Sequence, residues 1–182
     1  MSRTPQHALE VLAFWTDAGR EKWFRKDAAF DSQFRDRFLD LHEVAARGEL
    51  SGWASTADGS LTLLVLLDQF PRNCFRGSPR AFWTDPLART VAAAAVARGH
   101  DRMVDPSLRN FFYLPFTHSE WLPDQQRCIE LARQLGGEPE RYAHMHFDVI
   151  ARFGRFPHRN PVLRRQTTPQ EQEYLDRGGF AG

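Results

Sequence analysis

The run from Leu61 to Phe70, LTLLVLLDQF, is apolar on every side. A helix with no polar face belongs in the middle of a fold, with other elements packed around it. A buried strand is the competing assignment. The run is rich in leucine, however, with one valine, and Ser60 ahead of it can serve as an N-cap. It is read as a central helix over residues 61–70, with Pro71 expected to stop it. The single charge inside it, Asp68, falls near the C-terminal end, where burial and the helix dipole both disfavour a carboxylate. An unpaired buried charge would cost several kcal/mol, so Asp68 needs a cation or several hydrogen-bond donors. Arg72 lies four residues on, with Pro71 between; a more distant Arg or His is the other option. A buried ion pair clamping this helix to a neighbour is the favoured structural explanation.

Helical punctuation recurs along the rest of the chain. Pro5 precedes a pattern with Leu9, Leu12 and Phe14-Trp15 at helical spacing. Phe30, Phe34, Phe38, Leu41 and Ala45 recur every three or four residues, ending near Gly48. Asp85-Pro86 reads as an N-cap followed by Pro at the first helical position, with the alanine-rich stretch running to Arg98 and Gly99. Thr117-His118-Ser119-Glu120 has capping-box spacing, although Pro123 leaves the start of that helix at either 118 or 123; it should run to Gly136. A further helix is expected from about Pro139 to Phe153, and a last one from the capping box Thr168-Pro169-Gln170-Glu171. No strand or hairpin pattern stands out. The expectation is one all-α domain over residues 1–182. About seven helices would form an antiparallel bundle or helix-hairpin array.

Bulk properties narrow the function classes. With 24 basic and 23 acidic residues the net charge is +1, which gives no general attraction to nucleic acid or to an anionic membrane. No apolar stretch is long enough to span a bilayer, and the start of the chain does not read as a secretory signal. Two cysteines, Cys74 and Cys128, are too few for a disulfide framework, so a reducing, cytoplasmic setting is expected.

Chemistry-bearing residues gather in three motifs, around Asp68, His118 and His158. Leu114-Pro115-Phe116 leads into His118-Ser119-Glu120, where an aromatic turn at a helix start can wall a pocket. Capping alone accounts for Glu120 there. In the 142–153 helix, His146 falls on the apolar face and His144 on the other, so the two cannot hold one metal together. His146 reads as a hydrogen-bonded core histidine, and Asp148 and Arg152 as an i,i+4 pair. Beyond Gly154 come Arg155, His158 and Arg159, set among Phe156, Pro157 and Asn160, a turn suited to an oxyanion or to Asp68 itself. No phosphate-binding glycine loop, paired-cysteine zinc pattern or nucleophile elbow is present. Neither a metal nor a cofactor is expected.

The motifs Val11-Leu12-Ala13-Phe14-Trp15, Trp23-Phe24, Leu67 to Asn73, Tyr113 to Glu120 and Arg152 to Asn160 together resemble the bacterial family called domain of unknown function 924, over nearly the whole chain. The resemblance implies an all-helical, tetratricopeptide-like fold and no particular reaction. One departure stands out: Leu163-Arg164-Arg165 replaces a Leu-Gly-Arg stretch, removing an easy left-handed turn. The leading functional expectation is a binding protein. Asp68, Arg72, Asn73, His118, Arg152, Arg155, His158, Arg159 and Asn160 would line a polar site for a small anionic ligand or an acidic peptide. One alternative is a hydrolase using Asp68 or Glu120 with His118 or His158. The other is an interaction module whose polar motifs are buried ionic locks.

Overall fold

The computed structural model describes residues 4–181, which pack as two compact units. The first takes in the chain up to Arg76 and from Arg80 to Pro115; the second comprises Gly77–Pro79 and the chain from Phe116 on. In chain order the helices are α1 (Gln6–Trp23), α2 (Ala28–Ala46), α3 (Ala57–Leu64), a π-helical turn (Val65–Gln69), α4 (Phe70–Cys74), α5 (Asp85–Ala97), α6 (Leu114–Thr117), α7 (Leu122–Ala132), α8 (Gly137–Phe153) and α9 (Pro169–Asp176). Short 3-10 turns connect several of them, and the described residues contain no strand. The fold is all-α, as expected. Among the described residues no helix is long and apolar enough to cross a membrane.

In the first unit α3, the π turn and α4 form one continuous central rod, buried along residues 59–71. It begins earlier than the sequence suggested. Thr56, not Ser60, caps it, its hydroxyl accepting from Gly59 N at 3.1 Å. Ser60 is buried and bonds instead to His100 Nδ1 at 2.9 Å. Gly59 is required by close approach: a Cβ there would sit 2.1 Å from the Trp53 carbonyl oxygen.

Pro71 does not stop the rod, contrary to expectation. Its missing N–H removes one intrahelical bond, and the chain responds by widening rather than ending. Phe70 N–H reaches back five residues to the Val65 carbonyl. A regular α bond from residue 71 would have used the Leu67 carbonyl, and a π bond the Leu66 carbonyl. Side chains take over both. Thr84 Oγ1 donates to Leu67 O at 2.5 Å, and His42 Nδ1 to Leu66 O at 2.9 Å. The next carbonyl, of Asp68, accepts from Arg72 Nη1 at 3.0 Å. The Leu66 and Leu67 carbonyls, whose usual donors are diverted to Val65 or missing at Pro71, are thus supplied by side chains from other parts of the chain.

Around the rod most of the pattern of α2 is buried as read: Phe30, Phe34, Phe38 and Ala45 face inward with His42 among them, while Leu41 is only half-buried. Phe14 of α1 meets Phe30, Phe34 and Phe38 at ring separations of 5.2, 5.4 and 5.3 Å. Asn73 and Arg76 both donate to Asp31 of α2 at 2.8 Å, tying the end of the rod to the start of that helix.

The second unit is built on α7, α8 and α9. Val149, Ile150 and Phe156 form its core, with Phe153, Tyr174 and Phe180 packed against it. Here α7 starts at Leu122, beside Pro123, and no capping box forms at 117–120. Thr117 Oγ1 lies 2.9 Å from Cys128 Sγ, and Glu120 pairs elsewhere. Ser119 Oγ accepts from Trp121 N and donates to Asp124, and α7 begins with no side-chain cap. The capping box at Thr168 and Glu171 is present as read.

If side chains have replaced the donor that Pro71 lacks, Thr84→Ala should cost about 1–2 kcal/mol of stability in urea titrations. In a Pro71→Ala background the same change should cost less by at least ~0.5 kcal/mol, because an N–H returns to residue 71.

Candidate functional site

The first polar motif resolves into an ionic lock within the first unit. Asp68 is 1% exposed. Its Oδ2 accepts from Gln69 at 2.6 Å and its Oδ1 lies 3.2 Å from Arg72 Nη1. The same guanidinium makes a bidentate pair with Asp85, at 2.8 and 2.9 Å. Burial opposes the charge on Arg72, but Asp68 and Asp85 outweigh it and hold the guanidinium protonated more firmly than usual. Asp85 is therefore not the N-cap of α5; it opens that helix, and the pair joins α5 to the rod. Arg109 shows the same economy, donating to Tyr113 Oη at 2.9 Å while Tyr113 donates to the buried Asp101 at 2.7 Å.

The second and third motifs meet inside the second unit. Glu120 receives Arg165 through both carboxylate oxygens, at 2.6 and 2.9 Å, and the Phe156 N–H at 2.8 Å. Burial would raise its pKa, but the Arg165 bonds and the Phe156 N–H prevail and hold it ionised. Arg165 also donates to the Phe156 carbonyl and to Asn160 Oδ1. Next to it, Glu171 pairs with Arg155 at 2.6 and 2.8 Å, accepts from Asn160 Nδ2, and caps α9 through Thr168 N. The Arg155 bonds lead in drawing the Glu171 pKa down to about 2. So Arg155, Asn160 and Glu120 are held in a second ionic lock. Arg165 and Glu171, its central members, were not singled out as site residues from sequence.

Beside this lock stands a cluster of three imidazoles. His146 of α8 is buried, and its Nδ1–H donates to the Tyr142 carbonyl at 2.7 Å, which leaves a lone pair on Nε2. His118 lies 6.4 Å from it, ring to ring. Phe156 packs 5.6 Å from both His146 and His158, with the Arg159 guanidinium 4.4 Å from its ring centre. Phe180 completes the wall at 4.4 Å from His146 and 5.3 Å from His158. Burial is the main cause pushing His146 down to about 3, with electrostatic repulsion from His118 and Arg159 adding to it. For His158 burial leads again, then Arg159, giving about 4. The Nδ1 atom of His158 is buried and has no hydrogen-bond partner. His144 is exposed on the opposite face, as the helical spacing required.

Arg152 does not pair with Asp148; its guanidinium lies over the rings of Phe153 and Tyr174, at 4.8 and 5.6 Å. With Glu173, Tyr174, Arg177, Gly178 and Gly179 it lines an open cavity of about 290 Å³. Among the described residues no three His, Cys, Asp or Glu side chains are placed to hold one metal ion. Cys74 and Cys128 are buried and in no disulfide, and burial lifts Cys74 to about 12 and Cys128 to about 11, which makes them poor nucleophiles.

Two measurements follow from this geometry. Arg164 has φ +54°, a left-handed conformation that costs an L-residue roughly 1 kcal/mol, and it is held there by the bonds of Arg165. Arg164→Gly should therefore raise stability by about 1 kcal/mol in chemical denaturation. His146 and His158 are neutral in the folded protein well below the ordinary histidine value of 6.5. Protons then favour the unfolded chain between those limits, so stability is full above about pH 6.5 and falls as the pH drops towards 4. Replacing His146 with Asn should flatten that slope.

Comparison with known proteins places the chain. A solved structure from Agrobacterium tumefaciens, of a protein of unknown function (ATU0120), is 54% identical, with a TM-score of 0.94, covering 97% of this chain and 100% of that one. No curated protein matches. Residues 11–179 match the family model described as bacterial protein of unknown function, DUF924, and the chain belongs to that family.

Proposed function

We propose that the chain is a helical binding protein for a small anionic ligand, with its recognition site at His118, His146, His158 and Arg159 in the second unit. The carrying observation is electrostatic. Imidazoles on one aromatic wall are held neutral in part by positive charge, and His158 Nδ1 is buried without a hydrogen-bond partner. An arriving anion would relieve that field and let an imidazole take up a proton. Asp68, Arg72 and Asn73 in the first unit, and Arg155 and Asn160 in the second, serve in this reading to hold the fold, since each has its charge or amide engaged. Binding is preferred to hydrolysis because Glu120, held ionised by Arg165, is poorly suited to trading protons near neutral pH. A cytoplasmic setting is part of the reading, supported by the two free thiols.

Calorimetry with inorganic phosphate and with dicarboxylates tests it. Binding should take up protons, weaken as the pH rises, and fall by about tenfold or more in His158→Asn, a loss of about 1.4 kcal/mol. Arg72→Lys should leave it unchanged. Anion binding that ignores the histidine change would sink the assignment.

A further inference from the structure

Phe180 reaches the histidine cluster from beyond the end of α9. Gly178, at φ +78°, and Gly179 close that helix, their N–H groups donating to the carbonyls of Leu175 at 3.0 Å and Tyr174 at 2.9 Å. A Cβ on Gly179 would meet the Tyr174 ring at 2.5 Å, so only glycine lets the strap pass here. One hydrogen bond holds Phe180 beyond that point: its N–H donates to Tyr174 Oη at 2.8 Å. Its ring lies 5.3 Å from that of His158, whose Nδ1 is buried without a partner. The 290 Å³ cavity lined by Tyr174, Gly178 and Gly179 gives the strap open space to move into.

Phe180 thus presents a flat ring to the cluster, edge-on to Phe156 and His158 and tilted on His146. We propose, resting on the binding reading above, that Phe180 occupies the subsite of the ligand itself, and that the ligand is an arylalkanoate-type anion which displaces the strap. Its ring would take the place of the Phe180 ring, where edge and tilted contacts suit any aromatic six-membered ring. Its carboxylate would pair with His158 and Arg159, the anion site proposed above.

Titration calorimetry with 3-phenylpropanoate and with propanoate tests this on the full chain, as wild type, Phe180→Ala and Tyr174→Phe. We expect 3-phenylpropanoate to bind wild type at least about tenfold more tightly than propanoate. Phe180→Ala should tighten 3-phenylpropanoate by about tenfold more, as for a strap closed nine-tenths of the time, and change propanoate by less than about twofold. Tyr174→Phe keeps the ring and loosens only the strap, so it should shift affinity the same way by less; it serves as the test if Phe180→Ala does not fold. Equal affinity for both acids in wild type would overturn the ring subsite and leave the anion reading standing. Ring preference untouched by both variants would overturn the displacement. No binding of any anion to any variant would take down both readings together.

Discussion

A proline near the end of a buried apolar rod removes one hydrogen-bond donor where no water can replace it, and much of the first unit is arranged to answer that loss. The helix widens to a π turn over Val65–Gln69, and its carbonyls are met by His42 from α2, Thr84 just before α5, and Arg72 from the next turn of the rod. Two of these donors also fix a neighbour. The His42 ring stacks on Phe70 at 4.7 Å, and Arg72 holds Asp85 at the start of α5. The same widening lets Arg72 reach back across Pro71 to Asp68. A local backbone defect therefore sets how α2 and α5 are attached to the rod.

The second unit solves a different problem with the same currency. Its connecting segment between α8 and α9 is irregular, and irregular backbone inside a fold needs polar partners. Glu120 and Glu171 supply them. One gathers Phe156 N–H and Arg165; the other gathers Arg155, Asn160 and the amide that opens α9. The loop so fixed presents Phe156, His158 and Arg159 to His146 of α8. Rigid ion pairs underneath and imidazoles on top are what a preorganised site needs.

Much of this was legible from spacing. The all-α class, the inward face of α2, the opposed His144 and His146, the capping box at Thr168 and the need of Asp68 for a cation all follow from periodicity or from the cost of a buried charge. Local spacing misleads where distant partners decide. Pro71 reads as a stop because its replacement donors lie 29 residues before it, at His42, and 13 after it, at Thr84. Glu120 reads as a cap because Arg165 is 45 positions away. Asp148 and Arg152 have the right spacing for a pair, but the Tyr174 ring offers Arg152 another surface. Phe180 carried no sequence signal at all, since a single aromatic after a glycine pair states nothing about what it covers. The replacement at Arg164 could be seen in advance as a missing glycine, and the backbone does keep the left-handed turn there.

Glu171 has a consequence for how this sequence can drift over generations. One carboxylate serves a guanidinium, an amide and a helix start at once, so residues 155, 160, 168 and 171 do not offer independent choices. Shortening Glu171 to Asp would strand three partners together, and no single second change restores them all. Losses at these positions should combine far from additively, with the first substitution carrying most of the damage. Such a quartet changes as a block or stays as it is, and a relative that had traded one member would be expected to have traded the others too.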